Sequence, residues 1–226
     1  MAWVKSYICQ NPWKNGCMLS VKDFQFTYPG RKPISYPDFD LTKGENLWLK
    51  GASGSGKSTF MHMLLGLIKP QSRGVSLFGE DLFQTSNKAF SNLRKTKVGF
   101  VAQRPLFVKS LSIKQNIFIP HWSGAKLRDI FNLEESSEFL GVQDCLDQDP
   151  EQLSLGQLQR CQLLKAAAYN YSLLLLDEPS ASLDDDNFKK VEELLLAMFA
   201  DKNTSIIIVS HDQRMEGWGF DKKVFL

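Results

Sequence analysis

One short segment constrains this chain more than any other, because it fits a phosphate-binding loop without a mismatch. Residues 51–59 read GASGSGKST, which matches the pattern G-x-x-x-x-G-K-[ST]. Glycines let such a loop curl so that successive backbone N–H groups point inward and form an anion site. A helix that follows the loop adds the positive end of its dipole. The sequence therefore predicts a site for nucleotide phosphates, formed by Gly51, Ser53, Gly54, Ser55, Gly56, Lys57, Ser58 and Thr59.

The flanking residues decide between a phosphate site and an ordinary glycine-rich turn before a helix. Residues 45–50 are strand-like and enter the loop, and an apolar helix leaves it and is expected to reach about Leu67. This strand–loop–helix context is the one that the motif requires. Lys57 would then supply a charge for the β- and γ-phosphates, and Ser58 a hydroxyl suited to Mg²⁺.

Composition restricts the class of protein. The chain has 226 residues, of which 43% are hydrophobic and 23% charged, and its formal net charge is +2. Such a globular chain has no bulk charge to attract nucleic acid, which is not expected as a partner. Its four cysteines form no C-x-x-C pair and fit a reducing cytosol. No apolar run approaches the ~20 residues of a membrane span, so a membrane role would require a partner.

Strand-like and helix-like segments alternate along the chain. The strand-like segments are 19–28, 45–50, 75–78, 98–101, 173–177, 205–210 and 223–226, while 188–199 is an amphipathic helix and 105–170 is rich in helix. Continuously apolar strands favour a parallel sheet that is covered on both faces. We interpret residues 1–17 as an irregular N-terminal extension and 18–226 as one domain, with a helical subdomain inserted at about 105–170.

Two adjacent carboxylates end the apolar run of residues 173–176. Asp177 and Glu178 would lie at the ligand-binding edge of a parallel sheet, beside the phosphates. Asp177 is suited to the Mg²⁺ shell, and Glu178 to act as the general base for an attacking water. The alternative is an acidic pair that is merely solvated or caps the next helix.

These motifs, in this order, resemble the ATP-binding subunit of ATP-binding-cassette (ABC) transporters, and the resemblance covers residues 19–226. It implies an α/β fold with a P-loop NTPase parallel-sheet core, an inserted α-helical subdomain and a small antiparallel β subdomain. It also implies that Tyr28 stacks on adenine, that Gln103 contacts Mg²⁺ or the water, and that His211 reaches the γ-phosphate. Taken singly, these residues could instead be a core tyrosine, a polar loop residue and a surface histidine.

The same resemblance assigns residues to the contact between two subunits. The family signature is usually Leu-Ser-Gly-Gly-Gln, and this chain departs from it with Leu155 in place of a glycine. In the family, these residues meet ATP that is held by the other subunit, and the D-loop crosses the same interface. The corresponding residues here are Ser154, Leu155, Gly156 and Gln157 for the signature and Ser182, Leu183 and Asp184 for the D-loop.

The resemblance implies an ATPase that uses ATP and Mg²⁺, with Glu178, His211, Lys57 and Gln103 as catalytic residues and Ser58, Gln103 and Asp177 at the metal. Closure of a homodimer or pseudo-dimer would energise a separate transmembrane permease at the inner face of the cytoplasmic membrane. Residues 105–120 look most like the lipoprotein-release, macrolide-export and cell-division group. Two alternatives stay open: a soluble ABC ATPase that is not coupled to transport, and a weakly hydrolytic nucleotide-binding scaffold.

Overall fold

The computed structural model describes residues 16–226, and a five-stranded parallel sheet lies at its centre. In spatial order its strands are β11 (Lys222–Phe225), β5 (Asn46–Lys50), β10 (Ser205–Val209), β9 (Leu173–Asp177) and β8 (Val98–Val101). All neighbouring strands run parallel, and β10 lies in the middle, with Ile208 opposite both Trp48 and Leu176. The carboxyl ends of β5, β9 and β10 therefore meet at one edge of the sheet.

Two smaller antiparallel sheets adjoin this core. One has the order β4 (Phe39–Thr42), β1 (Cys17–Val21), β6 (Val75–Leu77) and β7 (Glu80–Asp81), and the other pairs β2 (Phe24–Phe26) with β3 (Ile34–Tyr36). The single strand predicted at residues 19–28 is thus wrong: it is two strands in different sheets. The chain breaks at Asp23, whose φ is 44°. That residue cannot continue an extended strand, because a positive φ lies outside the β region.

The predicted N-terminal extension is only partly covered by the structure. Residues 1–15 lie outside the described part of the chain, so the prediction for them stays a prediction. Cys17, which was assigned to the extension, belongs to β1 instead. The antiparallel sheet therefore begins one residue before the predicted domain boundary.

The helices are α1 (Lys57–Leu64), α2 (Asn87–Thr96), α3 (Ile113–Trp122), α4 (Leu133–Phe139), α5 (Leu155–Ala167) and α6 (Asp185–Ala200). Helix α1 ends before Leu67, where the sequence predicted its end, because Gly66 has a φ of 64° and turns the chain. Helices α3, α4 and α5 lie between β8 and β9. Within residues 16–226, no helix combines the length and hydropathy needed to cross a membrane.

The central sheet is buried on both faces, as its apolar strands predict. Alternate residues of β9 face opposite sides, so Leu173 and Leu175 join one hydrophobic cluster and Leu174 and Leu176 join the other. The first cluster contains α1 and the antiparallel strands, and the second contains α3, α5 and α6. Each fully buried leucine contributes about 1.5–3 kcal/mol relative to an exposed one, which holds the sheet edge in place.

Candidate functional site

The predicted phosphate loop joins the end of β5 to the start of α1. Gly54 and Gly56 have φ values of 80° and 108°, in the left-handed region that favours glycine. The Lys57 ammonium folds back over the loop, and its Nζ donates to the carbonyls of Gly51 at 2.8 Å and Ala52 at 2.7 Å. Lys57 is buried, with 8% of its surface exposed. Its charge is therefore fixed on the concave side of the loop.

A cleft of about 1050 Å³ lies above this loop and collects most of the predicted site residues. Its walls come from the loop, the carboxyl ends of β9 and β10, and the segment between β2 and β3. The predicted residues that line it are Tyr28, Gly51, Ser53, Gly54, Gly56, Lys57, Ser58, Thr59, Gln103, Asp177, Glu178 and His211. Residues that are far apart in the chain are thus brought to one place.

Ser55 is the exception within the loop. It does not line the cleft, and its Oγ lies 2.7 Å from the point that a Cβ on Gly51 would occupy. Its backbone N–H donates to the Ala52 carbonyl at 3.2 Å, within the loop itself. A Cβ at position 51 would also lie 2.5 Å from the Leu226 carbonyl oxygen, so glycine is required there on two counts.

Ser58 and Asp177 form the oxygen-rich corner of the cleft. The Ser58 Oγ lies 3.5 Å from Oδ2 of Asp177, at the end of β9. Burial raises the pKa of the Asp177 carboxyl, and the adjacent negative charge of Glu178 raises it further. A hydroxyl and a carboxylate are the ligands that Mg²⁺ prefers, and a cation would relieve the repulsion between the two acids. The donor set therefore fits the metal.

Glu178 is held from three directions. Its φ is 49°, a strained value for a glutamate, and its backbone N–H donates to the Val209 carbonyl at 2.8 Å. Oε2 accepts from the Ser210 hydroxyl at 3.0 Å, and Oε1 lies 2.7 Å from Nδ1 of His211. The carboxylate is nearly buried, whereas 76% of the His211 side chain is exposed. The predicted pair Glu178 and His211 is thus in direct contact.

The sequence interpretation missed Ser210 and two buried glutamines of α5. Gln159 is fully buried, and its Nε2 donates to the Glu178 carbonyl at 3.0 Å. Gln162 accepts from the Leu106 N–H at 2.9 Å and donates to the Ala102 carbonyl at 3.1 Å. These two bonds hold the loop that carries Gln103. The sequence did carry a signal for both glutamines, since they stand among the apolar residues of α5. A buried amide needs hydrogen-bond partners, so such residues are expected to hold neighbouring backbone groups.

Tyr28 stands at the rim of the cleft. Its hydroxyl lies 3.2 Å from Oγ1 of Thr59 in α1, and its ring meets that of Phe26 edge-on, with centroids 4.9 Å apart. The residue is half-buried and follows β2 outside any strand. Tyr28 lines the cleft and also packs against the hydrophobic core, and its adenine-stacking role stays a prediction.

The four signature residues lie at the tip of α5 and are absent from the residues that line the cleft of their own chain. Ser154 caps the helix, with its Oγ accepting from the Gln157 N–H at 3.3 Å, and Gln157 Oε1 accepts from the Ser154 N–H at 2.9 Å. Leu155 is half-exposed, at 50%. A Cβ on Gly156 would lie 3.3 Å from the Ser182 carbonyl, so the D-loop backbone runs close beside the tip.

The predicted D-loop leads directly into α6. Leu183 is buried, whereas Ser182 and Asp184 are exposed. Asp184 caps α6 by accepting from the Asn187 N–H at 2.8 Å, and this hydrogen bond lowers the pKa of the Asp184 carboxyl. Asp184 is therefore a helix cap at the start of its acidic run.

Comparison with known proteins identifies the family of this chain. The sequence profile described as "ABC transporter" matches residues 34–181, more than half of the chain. This chain belongs to the ABC transporter family. It is 35% identical over 201 residues to the lipoprotein-releasing system ATP-binding protein LolD of Buchnera aphidicola, covering 85% of this chain and 84% of LolD. It is 30% identical over 203 residues to the methionine import ATP-binding protein MetN of Carboxydothermus hydrogenoformans.

Coverage differs between these two relatives. The match to MetN includes 88% of this chain but only 60% of the length of MetN. A solved structure, the dimeric post-hydrolysis state of the ATP-binding cassette MJ0796 bound to ADP and Pi, superposes with a TM-score of 0.79 at 26% identity. That match covers 92% of this chain and 94% of the other.

The family assignment decides several predictions made above. The resemblance to ABC transporter ATP-binding subunits and the α/β ABC ATPase fold are confirmed. The chain is an ATP-binding ATPase subunit of the transporter family, as predicted, and the soluble and scaffold alternatives are not favoured. The individual site residues, the metal and the membrane location stay predictions and are taken up next.

Proposed function

We propose that two such cassettes bind Mg·ATP between them, hydrolyse it and so drive a transmembrane permease. The observation that carries this proposal is the placement of the Glu178 carboxylate. It lines the same cleft as the fixed charge of Lys57 and is held by Ser210 and His211. A carboxylate held beside a phosphate site is the arrangement that water activation requires.

The loop residues and Tyr28 would hold the nucleotide. Backbone amides of residues 51–59 and Lys57 would bind the phosphates, and the Tyr28 ring would stack on the adenine. Ser58 and Asp177 would hold Mg²⁺ together with Gln103, which lines the same cleft. Mg²⁺, when bound, neutralises charge on the phosphate oxygens.

Glu178 is proposed to orient the attacking water and to accept its proton. Each carboxylate oxygen already accepts one hydrogen bond, and each keeps a second lone pair for water. His211, which reaches from the neighbouring strand into the open part of the cleft, would align the water with the γ-phosphate. Positioning and electrostatics, rather than covalent chemistry, supply most of the catalysis in phosphoryl transfer.

The tip of α5 is proposed to act on the nucleotide of the other cassette. Ser154, Leu155, Gly156 and Gln157 lie outside their own cleft, yet they form an exposed helix start of the kind that binds phosphate. The D-loop beside Gly156 would cross the same interface. Closure on two nucleotides and opening after hydrolysis then form a two-state cycle that the ligand biases.

For the subgroup of transporters, we propose the lipoprotein-release, macrolide-export and cell-division group that the sequence resembles. The 35% identity to LolD, which covers most of both chains, supports this choice. The cassette would then lie at the inner face of the cytoplasmic membrane, held there by its permease. The two cassettes could be identical copies or a pair of homologues.

Replacing Glu178 by Gln tests the proposal. We expect Glu178→Gln to bind ATP but to hydrolyse it about 10²–10⁴-fold more slowly, and to accumulate as a closed dimer in size-exclusion chromatography. Glu193→Gln, which changes an exposed carboxylate of α6, is the matched control and should behave as wild type. Normal turnover in Glu178→Gln would refute the assignment of the base.

A further inference from the structure

A tyrosine outside the predicted motifs contacts the phosphate loop. Tyr36, the last residue of β3, donates its hydroxyl to the Gly56 carbonyl at 3.1 Å. The same carbonyl accepts the Phe60 N–H at 2.9 Å, the first hydrogen bond of α1. Gly56 therefore has both lone pairs of its carbonyl engaged, one by the helix and one by a different sheet.

The position of Tyr36 is fixed by its surroundings. Its ring lies 5.3 Å from that of Phe60 and 5.6 Å from that of Phe24, and only 4% of the residue is exposed. Burial raises the pKa of the Tyr36 hydroxyl well above its usual range, so the group stays a hydrogen-bond donor. A buried hydroxyl with one partner and no freedom to rotate away is a precise restraint on that partner.

The partner carbonyl belongs to the peptide that starts the phosphate-binding helix. A trans peptide is planar, so the Gly56 C=O and the Lys57 N–H point in opposite directions. The described chain contains no cis peptide bond. Fixing the carbonyl toward Tyr36 and the helix therefore fixes the Lys57 amide away from them. That amide is one of the N–H groups that a helix start leaves without a helical partner.

The neighbouring residue of β3 adds a second restraint. A Cβ on Gly56 would lie 2.6 Å from Cγ2 of Ile34, so β3 packs too closely against this residue for any side chain to fit. Ile34 and Gly56 also line the cleft together. The small sheet of β2 and β3 thus contacts the loop through one apolar group and one hydrogen bond.

We propose that Tyr36 is a positioning residue for nucleotide binding: its hydroxyl holds the Gly56–Lys57 peptide so that the Lys57 amide faces the phosphates. A donor on the carbonyl also polarises the peptide and strengthens the N–H on its other side. This inference rests on the proposed function of residues 51–59. A purely structural role would stabilise the fold without changing phosphate affinity.

Titration calorimetry with ADP and with pyrophosphate, both with Mg²⁺, can separate these roles when combined with thermal unfolding. Tyr36→Phe removes only the hydroxyl and keeps the ring against Phe60. We expect it to weaken both ligands by the same factor, about threefold to tenfold, which corresponds to one hydrogen bond.

The matched control is Tyr169→Phe. Tyr169 is 1% exposed and donates its hydroxyl to the Ile117 carbonyl at 2.8 Å, in the helical block. Tyr169→Phe should lower the unfolding temperature but leave the affinities for ADP and pyrophosphate unchanged. Wild-type affinity in Tyr36→Phe, or equal losses in both tyrosine variants, would overturn the inference. Lys57→Ala should abolish binding, and retention of binding there would instead overturn the proposed function itself.

Discussion

Nδ1 of His211 lies 2.7 Å from Oε1 of Glu178, and the two residues follow neighbouring parallel strands. The glutamate is almost buried and is also bonded to Ser210, whereas most of the histidine faces the open cleft. The pair therefore joins an anchored carboxylate to a side chain that is accessible to a ligand.

Replacing His211 by Ala should slow hydrolysis without preventing nucleotide binding. The variant removes one hydrogen bond to the carboxylate and the group proposed to align water, so we expect turnover to fall about tenfold to a hundredfold. Phosphate release and nucleotide affinity are the measurements. His121→Ala, an exposed histidine of α3, is the control, and equal rates in the two variants would contradict the role of His211.

Mixing two inactive variants should restore activity if each site is shared between copies. Lys57→Ala destroys the loop, and Ser154→Arg blocks the tip of α5. A mixed pair then has one site with an intact loop and an intact tip. If the cassettes form homodimers, equal amounts of the two variants make about half of the pairs mixed. Each mixed pair has one intact site instead of two, so up to about a quarter of the wild-type rate is expected. Recovery of no activity would mean that the tip serves its own chain.

Asp177→Asn should stabilise the nucleotide-free chain at neutral pH. The pKa of Asp177 is raised from 3.8 by burial and by Glu178, so the folded state favours the neutral form. Protonated Asp177 thus stabilises the fold at a pH below its pKa in the unfolded chain. This stabilisation is lost as the pH rises through its higher pKa in the folded chain. An increase of about 2–4 °C in unfolding temperature, typical of about 1 kcal/mol in a chain of this size, is expected at pH 7.

The same substitution should behave differently at acid pH and with ligand. At a pH below the pKa of Asp177, the wild-type carboxyl is protonated and therefore neutral, like asparagine. The difference in unfolding temperature between wild type and Asp177→Asn should then shrink. Mg²⁺-dependent tightening of ADP binding should be lost at all pH values. A variant that is less stable than wild type at pH 7 would show that the carboxylate makes favourable contacts that outweigh its repulsion from Glu178.

Leu155→Gly tests the departure from the family signature. Leu155 is half-exposed at the first helical position of α5, and its side chain does not contribute to the cap formed by Ser154 and Gln157. We expect hydrolysis of wild-type order and an unfolding free energy lower by at most about 1 kcal/mol. Leu155→Ala separates loss of the side chain from the flexibility of glycine. A collapse of activity in the glycine variant would show that the leucine is required.

Local sequence patterns were enough to predict several of the residues that line the cleft. The phosphate loop is continuous in the chain, and Asp177 and Glu178 stand at the end of an apolar strand that faces the cleft. These placements need only the rule that parallel strands present their carboxyl ends together. The family resemblance then supplied Tyr28, Gln103, His211 and the tip of α5.

The features that were missed depend on long-range contacts or on single dihedral angles. Tyr36 and Gly56 are 20 residues apart, and Gln162 and Ala102 are 60 apart. No spacing rule relates such pairs, because the fold alone brings them together. The break between β1 and β2 was overlooked although the sequence carries a signal for it. From residue 19, apolar residues occupy odd positions up to Val21 and even positions from Phe24 onward, so the alternation changes phase at Asp23, the residue with the positive φ.

Helix α5 has its exposed tip at Ser154, while farther along the same helix Gln159 holds the Glu178 carbonyl and Gln162 holds the loop of Gln103. One helix thus connects the surface proposed to meet a neighbouring cassette with the backbone of Glu178, the residue proposed as general base. A shift of that helix would be felt at these two amides, because each holds a carbonyl group beside the cleft. Helix α5 would in this way couple nucleotide binding at the neighbouring cassette to the geometry of its own cleft.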